Sequence, residues 1–405
     1  VALAALAATS AFAQSSVTLS GRASMDYSTY QATGATAGSA YDLKSRSRIA
    51  DSSSRIAFGA VEDLGGGARA GVYCETGINI DNGSNTGQAN TNNVNSSEWC
   101  SREGRMYYGM SNYEVRLGRQ NVWWTQGELN QVGSTFLGSD SLTNLINGGV
   151  GVYGVRLENM LKFAVTGGQF AGSEAYYGLM TTNESAGATT LANGANNTGT
   201  IKTDPRGAYQ GFKLAYTMGK FVGMIDYQGS KDAPNVAASA TAAGTNSFDR
   251  TATKYGVAYK YTPTSLVSVQ AWNKKRTDVT TAGATYVNAL NTAANTTTAG
   301  DAKDSGYGIV LKHDFGGGWI AHGQYAKVGN IKGTSAGEQS GTGAKAYTLG
   351  ATKSFSKRTH VYGAFHKITN EVNANYNMVG GSYNSAVSAN GADVKMLALG
   401  MIHNF

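Results

Sequence analysis

The sequence predicts an all-β fold, a closed antiparallel barrel of sixteen strands that crosses a membrane. Apolar and polar side chains alternate in short segments, and in residues 307–315 every second position belongs to one largely aromatic and aliphatic stripe. A period of two residues is that of a strand with two different faces. The chain has 54 glycines and 23 tyrosines but only 3 prolines. Scarce proline suits long paired strands, because proline cannot donate to a strand ladder.

Sixteen segments of this kind can be counted between Ser16 and Phe405, and the connections between them alternate in length. Turns such as Gly316–Gly318 are short, whereas the loops between them are long and rich in Ala, Thr, Asn, Gly and Ser. We expect the long loops at residues 31–50, 81–101, 181–204, 231–250, 277–303, 331–343 and 371–391. Short turns on one side and long loops on the other are typical of a membrane barrel. Lipid offers no partner to an open strand edge, so the sheet must close on itself.

The first thirteen residues, VALAALAATSAFA, resemble the end of a secretory signal peptide, because an apolar run ends in the small-x-small pattern of a cleavage site. Residues 14–405 contain no linker and no break in composition, which predicts one barrel domain. No apolar run after residue 13 approaches the ~20 residues that a membrane-spanning helix needs. The two cysteines, Cys74 and Cys100, are expected to pair in an exported chain.

Several function classes find no support in the sequence. The net charge is +7 at pH 7, but lysine and arginine are scattered singly, so we expect no nucleic-acid partner. The five histidines show no metal-binding spacing, and we expect neither a metal nor a cofactor. No recognisable motif pairs a serine with a histidine, so we do not expect an enzyme.

A set of segments resembles the trimeric porins of Gram-negative bacteria, specifically the betaproteobacterial branch. The most specific are EDLGGG at residues 62–67, the CETG strand at 74–77 and EVRLGRQ at 114–120, together with the terminal LALGMIHNF. The resemblance covers nearly the whole chain after residue 13. It implies an outer-membrane homotrimer, in contact with lipid and lipopolysaccharide, whose barrels are water-filled channels for passive diffusion of small hydrophilic solutes and ions. A substrate-specific channel with a saturable site is the alternative.

The same resemblance implies a third outer loop that folds inward and narrows the pore, which we place at Gln120–Val150. It also implies that Phe405 is the signal read by the outer-membrane assembly machinery. The sequence departs from the family pattern at Cys74, which stands where an apolar residue is usual, and at Cys100, which ends the second loop. The proline-containing turn that is usual in the family is missing near Lys162–Gly172. The sequence of the inward loop has little similarity to that of the family.

Strand parity predicts which charges face the channel. Ile56 and Phe58 would face lipid, so Arg55 would face water, and the same rule turns Arg105 inward. On the strand at residues 155–163, Leu157, Leu161 and Phe163 would face out, which places Arg156, Glu158 and Lys162 in the lumen. By resemblance, Arg55, Arg105 and Arg156 correspond to arginines on the wall of the constriction. Each could instead pair with a loop carboxylate or line a wide vestibule.

The predicted inward loop carries two acids, Glu128 and Asp140. A basic wall that faces an acidic loop would set a transverse field across the opening and orient dipolar solutes. Because the cations outnumber the acids, we expect a mild preference for inorganic anions, weakened by salt.

Overall fold

The computed structural model describes residues 16–81, 99–122, 129–130, 141–148, 156–179, 207–231, 248–278, 301–333, 337–378 and 389–405. The predicted signal peptide lies outside these residues, and so do Glu128 and Asp140. No helix in the described ranges is long and apolar enough to cross a membrane.

The described residues form nineteen strands in one sheet, one α-helix and a short 3-10 helix at Ser39–Tyr41. The first strands are β1 (Ser16–Thr33), β2 (Leu43–Asp51), β3 (Arg55–Gly65), β4 (Ala68–Gly77), β5 (Glu103–Met110) and β6 (Tyr113–Asn121), followed by helix α1 (Ser141–Asn147). The middle strands are β7 (Arg156–Val165), β8 (Glu174–Leu179), β9 (Ala208–Met218), β10 (Phe221–Lys231), β11 (Phe248–Lys260), β12 (Leu266–Asp278) and β13 (Asp301–Gly316). The last are β14 (Trp319–Val328), β15 (Lys332–Gly333), β16 (Gly337–Glu338), β17 (Ala344–Ser354), β18 (Thr359–Asn370) and β19 (Asp393–Asn404).

The sheet closes on itself, because β1 pairs antiparallel with β19 over Arg22–Thr33 and Asp393–Asn404. Strands β2 and β3 both pair with β1, one above the other, and form a single interrupted wall strand. The two-residue strands β15 and β16 make a small hairpin added to β13. If β2 and β3 count as one strand and the hairpin of β15 and β16 is left out, the nineteen strands make a wall of sixteen. The predicted sixteen-stranded antiparallel barrel is therefore confirmed.

The two faces of the wall follow the predicted alternation. On β13, Tyr307, Ile309 and Leu311 are exposed on the outside, with Leu311 at 47%. Their neighbour Val310 is fully buried in the interior, where it belongs to the same apolar cluster as residues of α1. The one apolar residue that broke the stripe in the sequence is thus explained by packing inside the barrel.

The parity prediction is wrong at one point on β7. Leu157, expected to face lipid, is only 2% exposed and packs with Met160 inside the barrel. The cause is a β-bulge: Gly118 pairs with Met160 but Gln120 pairs with Leu157. Two residues of β7 therefore lie opposite the single residue Arg119. An extra residue on one strand reverses which side chains face in, so the rule fails beyond it.

The first predicted long loop, residues 31–50, is shorter than expected. Strand β1 runs to Thr33 and β2 begins at Leu43, so that only residues 34–42 connect them. Most of β2 is polar or exposed on both faces, from Lys44 to Ser47. A strand with water on both sides has no apolar stripe, which removes the signal that sequence reading depends on.

Cys74 and Cys100 form a disulfide, as predicted. Cys74 lies on β4 and is buried, while Cys100 lies just before β5 and donates its backbone N–H to Thr76 Oγ1 at 2.9 Å. Gly104 faces the Cys100 side chain so closely that an added Cβ would come within 2.9 Å of it. The disulfide fastens the end of the second outer loop to the outside of the wall.

Replacing Leu311 by Arg should lower the free energy of unfolding by about 2 to 4 kcal/mol, because an arginine would then face the middle of the bilayer. Phe315→Arg is the matched control, since it lies on the same face beside the turn and should cost only about 0 to 1 kcal/mol. Urea titration in lipid vesicles measures both. Equal effects at the two positions would mean that this face of β13 does not meet lipid.

Denatured protein should migrate faster on a gel without reductant than with it, because the Cys74–Cys100 bond keeps the unfolded chain more compact. The variant Cys100→Ser should migrate at the reduced position under both conditions. Equal mobility of the wild-type chain with and without reductant would contradict the pairing.

Candidate functional site

The channel interior contains a group of five arginines that come from strands distant in sequence. Arg22 of β1 lies directly opposite Arg55 of β3, and both sit on the inward parity of the wall. The orientation follows from Phe58, which is 42% exposed on the outside, so that Ala57 and Arg55 face inward. Arg102, Arg105 and Arg156 complete what we call the arginine cluster, comprising Arg22, Arg55, Arg102, Arg105 and Arg156.

Two carboxylates hold the arginine cluster together. Glu75 on β4 accepts a hydrogen bond from Arg102 Nε at 2.6 Å. It also forms an ion pair with Arg55, whose Nε is 3.4 Å away. Tyr73 donates its hydroxyl to the same carboxylate at 3.1 Å. The charges of Arg55 and Arg102 are thus partly compensated. A cation that is packed beside other cations needs such compensation.

The second carboxylate, Glu103 on β5, pairs with Arg105 and accepts a hydrogen bond from Asn121 Nδ2 at 3.3 Å. The Arg105 guanidinium also lies 4.4 Å from the centre of the Tyr73 ring, a cation–π contact. Arg156 lies beyond the bulge on β7, next to the inward-facing Leu157, so its place in the cluster rests on its charge interactions with Arg102, Glu75, Glu103 and Arg119 rather than on parity.

The arginine cluster has an excess of positive charge. Its five guanidinium groups are accompanied by the carboxylates of Glu75 and Glu103 and, near Arg22, of Asp51, which leaves a formal charge of +2 among these eight residues. Arginine stays protonated throughout the accessible pH range. This part of the wall therefore presents fixed positive charge to the channel water.

The predicted site residues divide into two groups. Arg55, Arg105 and Arg156 come together in the arginine cluster, although their role at the constriction remains a prediction. Glu158 does not join them, because the bulge on β7 pairs it with Arg119 at 3.3 Å.

Register puts Arg119 on the outer face of the wall. It lies opposite Gly104, Gly104 lies opposite Cys74, and Cys74 lies opposite the exposed Phe58. Paired residues of neighbouring strands share a face. The expected position of Glu158 in the lumen is therefore incorrect.

Lys162 points inward as predicted and begins a row of alternating charges. It pairs with Glu174 of β8 at 2.8 Å, and Lys213 of β9 lies 4.0 Å from the same carboxylate. Asp226 of β10 is the cross-strand neighbour of Lys213 and lies 3.8 Å from Lys254 of β11. We call these five residues the lysine belt. Burial of such charges is tolerated because each lysine has a carboxylate beside it.

Several of these residues were not identified from the sequence. Parity could have found three of them, because Lys213, Asp226 and Lys254 each adjoin an exposed apolar residue of the outer face, namely Phe212, Ile225 and Tyr255. The same rule applies to Arg22. Arg102 gave no such signal, because it precedes β5 and owes its position to Glu75.

The described parts of the predicted inward loop lie inside the barrel. The Leu129 carbonyl accepts hydrogen bonds from Ser268 Oγ at 2.6 Å and Gln270 Nε2 at 3.0 Å, both on β12. Asn130 Oδ1 accepts one from Gln324 of β14 at 2.6 Å. Helix α1 contacts β13, β14, β17 and β18. The loop thus leaves the wall at β6 and reaches strands six to eight places away in the ring of sixteen.

The arginine cluster and the loop face each other across the channel. The cluster comes from β1, β3, β5, β7 and the residue before β5, whereas the loop segments rest on the opposite half of the wall. Phe405 lies elsewhere, at the barrel's seam, where it exchanges backbone hydrogen bonds with Gly21 at 2.8 and 3.1 Å. Its ring covers Gly21 on the outer face, and its role as an assembly signal remains a prediction.

Known structures share this architecture at low sequence identity. The anion-selective porin from Comamonas acidovorans matches with a TM-score of 0.63 at 21% identity, covering 97% of this chain and 100% of that one. OmpT of Vibrio cholerae, folded in vitro and in its trimer form, matches with a TM-score of 0.60 at 10% identity, covering 96% and 99%. OmpF of Salmonella typhi in complex with daunomycin matches with a TM-score of 0.55 at 15% identity, covering 96% and 97%.

The sequence itself matches a family profile over most of its length. A comparison with curated proteins found no match. The profile described as Gram-negative porin matches residues 1–373 of the 405. The match agrees with the closed barrel, apolar outside and charged inside, that the structure shows. The chain therefore belongs to the Gram-negative porin family and forms a channel for passive diffusion in the outer membrane.

Proposed function

We propose that the channel prefers small inorganic and organic anions, and that the arginine cluster produces this preference. The observation that carries the proposal is the formal charge of +2 on the five arginines of the cluster and the carboxylates of Asp51, Glu75 and Glu103. Fixed charge on a wall of low dielectric constant raises the local concentration of counter-ions. In a pore, the electrostatics and width of the narrowest part set the selectivity.

The loop acids Glu128 and Asp140 complete the proposal. They belong to the segment whose described parts rest on β12 and β14, opposite the arginine cluster. Carboxylates on that side would set a field across the opening and orient dipolar solutes as they pass. The two negative charges of these acids do not balance the positive charge of the arginine cluster and the lysine belt. The net field therefore still favours monovalent anions over cations.

The proposed partners follow from the two faces of the wall. Lipid and lipopolysaccharide would surround the apolar exterior, and small hydrophilic solutes would cross the interior. We propose a homotrimer as the assembly, supported by the likeness in fold to OmpT of Vibrio cholerae in its trimer form. The proposal assigns the chain no catalytic step and no cofactor.

A saturable channel for a particular anionic solute is the second candidate. The convergence of five guanidinium groups favours it, because such groups bind carboxylates and phosphates in a defined geometry. The two candidates differ in how the ion current responds to solutes. A general pore passes small anions without block, whereas a binding site gives concentration-dependent block by one class of solute.

In a KCl gradient across a planar bilayer, the reversal potential should indicate anion preference. The preference should fall as the total salt rises to 1 M, where the Debye length is about 3 Å and fixed charges are screened. A clear cation preference at low salt would reject the proposal.

Arg55→Glu should shift the reversal potential toward cations. The exchange removes two units of charge, worth about 0.8 kcal/mol on an ion roughly 10 Å away in water, against an anion and in favour of a cation, so the anion-to-cation permeability ratio should fall about sixteenfold. Lys357→Glu is the control, because it makes the same charge change in the exposed turn after β17. If both variants shifted the potential equally, the arginine cluster would not be the source of selectivity.

A further inference from the structure

Helix α1 is held against the channel wall by a buried lysine. The Lys274 ammonium donates hydrogen bonds to the carbonyl of Ile146 at 2.7 Å and to that of Gly148. Lys274 lies on β12, and its side chain is fully buried together with that of Asp304, its cross-strand neighbour on β13. The ammonium and the carboxylate are 3.3 Å apart. The lysine thus joins the wall to the C-terminal end of the helix.

The contact suits both partners electrostatically. The last carbonyls of a helix have no partners within the helix and carry partial negative charge, so a cation is favoured there. Asp304 compensates the charge of Lys274 on the wall side, as a buried ammonium requires. One group therefore satisfies the free carbonyls and the buried carboxylate together.

A second element holds α1 from another side. The segment Glu371–Met378, which follows β18, turns into the barrel, and its Ala374, Tyr376 and Met378 are buried in one apolar cluster with Leu142, Leu145 and Ile146. Asn144 Nδ2 lies 3.9 Å from the Met378 sulfur. The Tyr376 ring packs so closely on Gly148 that an added Cβ there would come within 2.4 Å of it.

The segment is itself anchored to the wall. The Asn370 side chain donates to the carbonyls of Tyr376 at 2.9 Å and Ala392 at 2.7 Å, and accepts from the Tyr376 N–H at 2.8 Å. Burial raises the pKa of the Tyr376 hydroxyl well above its usual value, so the ring stays neutral in the apolar cluster.

We propose that Lys274 and Tyr376 are positioning residues that clamp α1 between the wall and the segment 371–378, and so fix the free width of the channel. The inference rests on the proposed function, because it assumes that the loop carrying α1 narrows the pore. Neither residue needs to touch a permeating ion. Their effect is to keep one arrangement of the loop, and loss of the clamp lets the loop fluctuate in the path of the current.

Lys274→Met tests the clamp, because it keeps an unbranched side chain as far as Cε and removes the ammonium. Single-channel recordings in symmetric KCl should show higher open-channel current noise and a broader distribution of conductance than wild type. Lys275→Met is the matched control. Lys275 is the next residue of β12, on the opposite face of the strand, is 41% exposed and pairs with Asp301 at 2.6 Å. The heat-modified gel mobility of each variant reports that its barrel has formed.

A crosslink supplies the rescue. Asn144→Cys together with Met378→Cys, joined by a short bifunctional thiol reagent, should tie α1 to the segment 371–378 and lower the noise below that of wild type. In the Lys274→Met background the same crosslink should restore the wild-type noise and conductance. If Lys274→Met did not fold, the crosslink in the otherwise unchanged chain would still test the proposal.

The clamp is contradicted if folded Lys274→Met behaves like Lys275→Met, or if the crosslink leaves the current noise unchanged. Current noise is measured without a salt gradient. A result that contradicts the clamp therefore leaves the prediction for the reversal potential unchanged. Conversely, a channel without anion preference but with the predicted change in noise would reject the proposed selectivity and retain the clamp.

Discussion

The structure depends on one constraint, which is that backbone N–H and C=O groups in lipid must find partners within the protein. A strand can meet this need only through its neighbours, so the sheet has to continue until its first and last strands pair. The pairing of β1 with β19 achieves this, and Phe405 extends it by bonding to Gly21 at the seam. Once the wall is closed, every strand has one face in lipid and one in the channel. The two-residue period of the sequence is the direct result.

Closure also explains why so much charge is buried. Inside the closed wall, charged side chains of neighbouring strands pack side by side and shield one another from water. Charged groups survive in this space by pairing, as in the contacts of Glu75 with Arg55 and Arg102 or of Lys274 with Asp304. The arginine cluster differs from the lysine belt in having the larger excess of positive charge. That excess gives the channel its proposed selectivity, while the paired lysines secure the wall and the loop.

Much of the fold was accessible from the sequence, because strand parity and the alternation of turns and loops both follow from the lipid environment. Parity correctly oriented Arg55, Arg105 and Lys162. It failed at Leu157, where a single extra residue in β7 exchanged the faces; the only local signal is Asn159, a residue type that tolerates the left-handed conformation it adopts at φ 48°.

Contacts between segments distant in sequence were the other feature that could not be predicted from the sequence. Arg102 entered the arginine cluster through Glu75, and α1 was fixed by Lys274 and by a segment more than two hundred residues away, at Tyr376. Such contacts depend on how far a loop reaches across the barrel. The family resemblance implied an inward loop, but it could not supply the partners that hold this one.

Spin labels placed singly at residues 105 to 108 of β5 test the central claim most directly, since neighbouring residues should face different media. In lipid vesicles, labels at Met106 and Tyr108 should be relaxed mainly by oxygen dissolved in the bilayer. Labels at Arg105 and Tyr107 should be relaxed mainly by a water-soluble reagent. Accessibility that changed smoothly along the strand, without alternation, would contradict a wall with lipid on one face and water on the other.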